Sequence, residues 1–112
     1  MKKILTTIIS FLIITSINAQ TIIFRENFEG AKQPDGWTQV TSASDGGWRF
    51  GSSGYLSSNY FSFNNSTNLA ATNDDACNCD KSLDKLITPT IDLTNYTSLH
   101  LTFDLYYFAS KD

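Results

Sequence analysis

Cysteine, histidine, proline and basic residues are all scarce in this chain of 112 residues. One histidine and two cysteines, the latter separated by a single residue, cannot complete the paired CxxC or Cys-His sets that hold structural zinc. No GxSxG elbow, HExxH pair or CxxC redox motif accompanies His100, which reads as a strand residue rather than a base. Gly51-Ser52-Ser53-Gly54 lacks the Lys-Ser/Thr that finishes a phosphate-binding loop. No catalytic set is present, and the expectation is a protein that is not an enzyme. Eight Lys and Arg stand against eleven Asp and Glu, singly or in loose pairs, so the clustered positive charge that phosphate backbones require is missing and no nucleic acid is expected as a partner.

The one long apolar run lies at the start. Lys2 and Lys3 precede Ile4 to Ile17, and Asn18-Ala19 gives a small-residue end before Gln20, the pattern of a secretory signal peptide over residues 1–19. Thr6, Thr7, Ser10, Thr15 and Ser16 interrupt the run, which falls short of the ~20 apolar residues of a spanning helix. The chain is therefore expected to be secreted, extracellular or at the cell surface, without membrane insertion after signal cleavage. Residues 20–112 then carry six basic and eleven acidic residues, a formal charge near −5. Such a balance favours solubility and, where acidic groups cluster, cations.

Residues 20–112 suffice for one small domain. Thr21 to Phe28 is a strand candidate, with Ile22, Phe24 and Phe28 on one face. Pro34-Asp35-Gly36 reads as a type I turn with proline at its second position, after which Trp37 to Val40 starts a new segment. Gly46-Gly47 precedes another at Trp48 to Phe50. Tyr55, Tyr60, Phe61 and Phe63 suit either short strands or loop anchors. The clearest strand is Ser98 to Phe108, where Leu99, Leu101, Phe103, Leu105 and Tyr107 share one face and His100, Thr102, Asp104, Tyr106 and Phe108 the other. Helical periodicity of that quality is absent after residue 19, so the class is all-β.

Two separated signatures, Glu26-Asn27-Phe28-Glu29 with Pro34-Asp35-Gly36-Trp37, and Asp84-Lys85-Leu86-Ile87-Thr88-Pro89 leading to Leu101-Thr102-Phe103-Asp104-Leu105, resemble the cleaved-adhesin or choice-of-anchor J domains of secreted bacterial proteins, related in fold to MAM domains. The resemblance implies an antiparallel β-sandwich of jelly-roll type. That family's pattern would continue past Asp112, and a full jelly roll needs about eight strands where five or six are countable, so the sandwich is expected to be incomplete, the N-terminal part of a longer domain. The function implied is a non-catalytic binding or adhesion module recognising an extracellular protein or glycan through its loops. The alternative is an accessory, substrate-presenting domain of a secreted peptidase or other exported enzyme, with downstream domains of the same polypeptide as partners.

The acidic loop Asn73-Asp74-Asp75, followed by Asp80 and Asp84, offers oxygen ligands of the kind calcium takes, though Asp and Asn serve loop turns equally well. The resemblance maps a structural calcium onto Glu29, Asp74 and Asp75, with Asp104 a weaker candidate. Cys77 and Cys79 lie in the same loop. In an exported protein they suit a local disulfide, with pairing to cysteines beyond Asp112, or free thiols, as alternatives. Trp37 is expected to pack in the sandwich, whereas Tyr55 and Tyr60 are candidates for ligand contact through their aromatic faces.

Overall fold

The computed structural model describes residues 20–108; the expected signal segment 1–19 and residues 109–112 lie outside the described residues. Four three-residue strands and two single-turn helices follow in the order β1 (Thr38–Val40), β2 (Arg49–Gly51), α1 (Ser53–Leu56), β3 (Leu69–Ala71), α2 (Asp74–Cys77) and β4 (Lys85–Ile87). The strands form two antiparallel pairs, β1 with β4 and β2 with β3. This architecture, sheet-rich with two short helices, is compatible with the all-β class. The helices are not foreseen by the periodicity, because one turn is too short to show any. Each instead follows from a local device. At α1 the Tyr55 and Leu56 N–H groups both donate to the Ser52 carbonyl at 3.1 Å. At α2 the Asn73 side-chain oxygen accepts from Ala76 N–H, which satisfies one of the donors that a helix start leaves free.

The β1–β4 ladder sets Thr38 opposite Ile87, Gln39 opposite Leu86 and Val40 opposite Lys85. Its entry is a tight turn in which Trp37 N–H donates to the Pro34 carbonyl at 3.2 Å. Proline thus occupies the first turn position rather than the second, and Gly36 takes the third at φ +79°. A left-handed residue there is the type II arrangement, which glycine adopts without penalty, so the type I expectation is corrected. The turn also lies close to the far end of the ladder: a Cβ on Gly36 would stand 3.3 Å from Pro89 Cβ. Behind it, the Trp37 ring meets Phe28 at 5.5 Å between centroids and Phe24 at 6.0 Å. Phe28 in turn contacts Phe50 at 5.9 Å. Trp37 is accordingly a packing residue.

The β2–β3 ladder opposes Arg49 to Ala71, Phe50 to Ala70 and Gly51 to Leu69. Phe50 and Ala71 are buried, and Leu56 of α1, 3% exposed, completes the small core. Gln39 ties the two ladders together. Its side-chain oxygen accepts Trp48 N–H at 2.7 Å, and its Nε2 donates to the Trp48 carbonyl at 3.1 Å. One amide side chain therefore mimics a strand partner for the backbone leading into β2.

Two expected strands are not formed. Thr21 to Phe28 runs irregularly, with Phe28 at φ +59°, and its contribution is aromatic packing on Trp37 rather than a ladder. Ser98 to Phe108 has the stronger pattern, yet among the described residues it pairs with nothing and is exposed throughout. Leu101 is 87% exposed and Phe103 72%. The physical reason is that alternation specifies which side chains share a face, whereas a strand also needs a neighbour to accept its backbone hydrogen bonds. What contact the segment makes comes from the opposite face: Tyr106 and Phe108 lie 5.8 and 6.4 Å from the Phe61 ring, and Tyr106 also meets Phe63 at 5.9 Å. Phe61 and Phe63 are thus loop anchors.

Gly47 supplies the test of this local architecture. Its φ is +88°, and a Cβ would stand 2.9 Å from Thr41 Cβ and 3.0 Å from the Gln39 side-chain oxygen. Gly46 has a similar φ of +89° but open space around it. Gly46→Ala should cost about 1 kcal/mol from backbone strain alone, and Gly47→Ala about 2–3 kcal/mol, because the clash adds to the strain. Urea denaturation of the two variants measures the difference; equal losses would show that the contact with Thr41 and Gln39 is not tight.

Candidate functional site

The loops after β1 and before β4 converge on one buried charge. Lys81, whose side chain is 5% exposed, donates from Nζ to Asp45 Oδ1 at 2.7 Å, to the Gly47 carbonyl at 2.7 Å and to Asp84 Oδ2 at 3.4 Å. Three acceptors match the three ammonium protons. Asp84, with 1% of its side chain exposed, is also the acceptor for the Thr41 hydroxyl just after β1 and for the Thr72 hydroxyl just after β3, the latter at 3.1 Å. Three segments distant in the chain, around Thr41, Thr72 and the Lys81–Asp84 turn, are thereby fastened at a single carboxylate.

Asp45 closes the other side of this cluster. Its Oδ1 accepts Gly47 N–H at 3.2 Å as well as the ammonium, whereas Oδ2 is buried with no hydrogen-bond partner, as is the indole N–H of Trp48. Burial pushes the Asp45 carboxyl up, but the hydrogen bonds from Lys81 and Gly47 N–H and the charges of Lys81 and Arg49 outweigh it and hold its pKa below the ordinary value. Beside it, Cys77 and Cys79 are joined in a disulfide, S–S 1.96 Å and Cα–Cα 5.2 Å. A carboxylate oxygen of Asp45 and the two sulfurs all lie within 4.8 Å of one another. Among the described residues this is the one group of three potential ligand side chains, and with its sulfurs bonded to each other it offers neither thiolates nor the oxygen-rich shell that calcium takes.

Glu29, Asp74 and Asp75 are not drawn into such a group. Glu29 engages Asn68, accepting the Asn68 amide N–H at its Oε2 and the Asn68 side chain at its carbonyl. Asp74 Oδ1 accepts Asp75 N–H at 2.9 Å at the start of α2, and Asp75 Oδ2 accepts Tyr60 N–H at 3.3 Å. The acidic loop is thus occupied with backbone donors, the turn-forming use of Asp. Asp104 and His100 are exposed on the unpaired terminal segment.

Asp75 leads instead to an open cleft of about 410 Å³, lined by Arg49, Tyr55, Ser57, Ser58, Asn59, Tyr60, Asp75 and Ala76. Both tyrosines singled out for ligand contact border it, Tyr60 at 79% exposure and Tyr55 at 59%. The Arg49 guanidinium sits over the Tyr55 ring, 4.4 Å from its centroid, which fixes both groups without burying either. Arg49 reaches this position because β2 pairs it with Ala71, a residue too small to cover it. The cleft thus combines a cation, a carboxylate, hydroxyl and amide groups and two aromatic faces on one side of the molecule.

Sequence reasoning missed Arg49, Lys81 and Asp45. Arg49 carries no motif. For Lys81 the legible hint is its spacing of three from Asp84 across a turn closed by Asp84 N–H donating to the Lys81 carbonyl at 3.0 Å. Comparison of the chain with family models, with curated proteins and with solved structures finds no match. Among the described residues no helix is long and apolar enough to cross a membrane.

Two outcomes test this account of the site. Asp84→Ala leaves the Lys81 ammonium and two hydroxyls short of their common acceptor and should destabilise the domain by about 3–5 kcal/mol in chemical denaturation, whereas an exposed ion pair would lose under 1 kcal/mol. Thermal melts in excess calcium and in excess chelator should coincide, since the acidic side chains are already engaged with backbone N–H groups. A rise in Tm with calcium that is abolished by Asp75→Ala would show that the loop rearranges to bind the ion.

Proposed function

We propose that the chain is a non-catalytic extracellular binding module of the choice-of-anchor J type, recognising a protein or glycan through the cleft around Tyr55 and Tyr60. The observation that carries this reading is the open placement of the two tyrosine rings beside Arg49 and Asp75. Aromatic faces of this kind contribute large contact area with few rotatable bonds, and flanking charged and hydroxyl groups supply orientation. The jelly-roll sandwich belongs to the same proposal. It is supported by the two signatures described in the sequence, whose residues Gly36 and Pro89 lie close together at the end of the β1–β4 ladder. Export is supported by the N-terminal pattern of residues 1–19 and accords with the Cys77–Cys79 disulfide, a bond that persists in oxidising surroundings.

The test is an array of glycans and extracellular proteins probed with the secreted chain, followed by titration of the strongest binder. Tyr60→Ala, a truncation at a mostly exposed side chain, should weaken binding about tenfold and Tyr55→Ala by a similar factor, with unchanged melting temperatures. Undiminished affinity in the double variant would remove the cleft from the proposal, and hydrolysis of any array member would remove the non-catalytic reading.

A further inference from the structure

We propose that Lys81 and Asp45 condense into an intramolecular amide bond, with Asp84 as the proton carrier. The reacting groups are already in place: Lys81 Nζ is in hydrogen-bond contact with the Asp45 carboxylate at 2.7 Å and reaches Asp84 Oδ2 at 3.4 Å, and all three side chains are largely shielded from water. Fixed contact of this sort turns a bimolecular condensation into a unimolecular one, with effective concentrations on the order of 10⁵ M or more. Water, the product that drives the reverse reaction, has restricted access to side chains that are 5% exposed at Lys81, 17% at Asp45 and 1% at Asp84.

The balance is closed within the chain. The lone pair freed on Nζ attacks Asp45 Cγ and forms the C–N bond. Two of the three ammonium protons pass by way of the Asp84 carboxylate to one oxygen of Asp45, the C–O bond to that oxygen breaks, and it leaves as water. Asp84 ends as it began, a carboxylate, and no electrons are exchanged with any other reagent. The oxygen that departs is Oδ2, the atom buried without a partner, while Oδ1 keeps the Gly47 N–H and becomes the amide carbonyl. The remaining proton on nitrogen keeps its acceptor, the Gly47 carbonyl at 2.7 Å. Condensation thus removes a buried ion pair and an unsatisfied buried oxygen together, and leaves a neutral amide with a donor and an acceptor already provided.

Intact-mass measurement of the folded, secreted chain decides the matter. Beyond the two hydrogens lost to the disulfide, the mass should fall short of the sequence by one water, and the loss should survive full denaturation. After reduction and trypsin, cleavage at Lys81 should be blocked, and a branched peptide should join residues 33–49 to residues 50–85. Lys81→Arg, which keeps the charge and lacks the nucleophilic amine, should show neither sign. Asp84→Asn should retain the water in its folded fraction. A folded unmutated chain at full mass, cut normally after Lys81, overturns the proposal, and Asp84→Asn that still loses water removes Asp84 from the role of proton carrier.

Discussion

The burial of one ammonium group, in place before any condensation with Asp45, constrains most of this small structure. An isolated charge in a protein interior is so unfavourable that the surrounding chain must be arranged to meet it. Lys81 is met by Asp45, Asp84 and the Gly47 carbonyl, and Asp84 is met in turn by Thr41 and Thr72. Thr41 follows β1, Thr72 follows β3, Gly47 precedes β2 and Asp84 precedes β4. With strands of only three residues and a core of Phe50, Leu56 and Ala71, backbone ladders and apolar burial are both meagre. The polar cluster does what a larger hydrophobic core would otherwise do, fixing the ends of all four strands relative to one another. It does so with direction, since hydrogen bonds to a carboxylate specify angle as well as distance.

The same constraint explains the tight backbone around it. Gly47 can present its carbonyl to Lys81 and its N–H to Asp45 only with the chain in a left-handed conformation and pressed against Thr41 and Gln39. Gln39 then reaches past this loop to both backbone groups of Trp48. Sheet pairing, side-chain bridging and the buried cation are therefore one connected network rather than separate stabilising contacts, and substitutions within it are expected to be non-additive.

Much of this was legible in the chain, though unevenly. The turn at Pro34 to Gly36, the strand beginning after Trp37, the packing role of Trp37 and the segment near Phe50 all follow from residue types that impose a local conformation. Their meeting with Leu86 to Pro89 is a matter of pairing, which local preference does not determine. Ser98 to Phe108 shows the reverse case. Its alternation is the strongest in the sequence, but periodicity reports which faces are apolar and is silent on whether a second strand is present to bury them. The acidic loop shows a related limit of sequence. Carboxylates that suit calcium by number are here acceptors for the N–H groups of Asp75 and Tyr60, a use that depends on backbone geometry the sequence does not display. Lys81 was invisible because burial of a lysine depends on partners thirty-six residues away at Asp45.

The cleft inherits its rigidity from this network. Asp75 and Ala76 lie on α2, whose cap Asn73 donates to the Leu56 carbonyl at 3.0 Å and to Ser58 Oγ at 3.3 Å. Asn73 directly follows Thr72, which is held by Asp84. On the opposite wall, Arg49 belongs to β2, two residues beyond the Gly47 carbonyl that Lys81 grips. Both walls are thus anchored within two or three residues of the buried cluster, while Tyr60 between them rests on a loop and is free to adjust its ring. A binding surface needs this division, because each side chain immobilised on binding costs about 0.5–1.5 kcal/mol and a wall already fixed adds no such cost. The ligand-facing tyrosine can adapt, and the groups that orient the ligand are ordered in advance by an ion cluster that the ligand never touches.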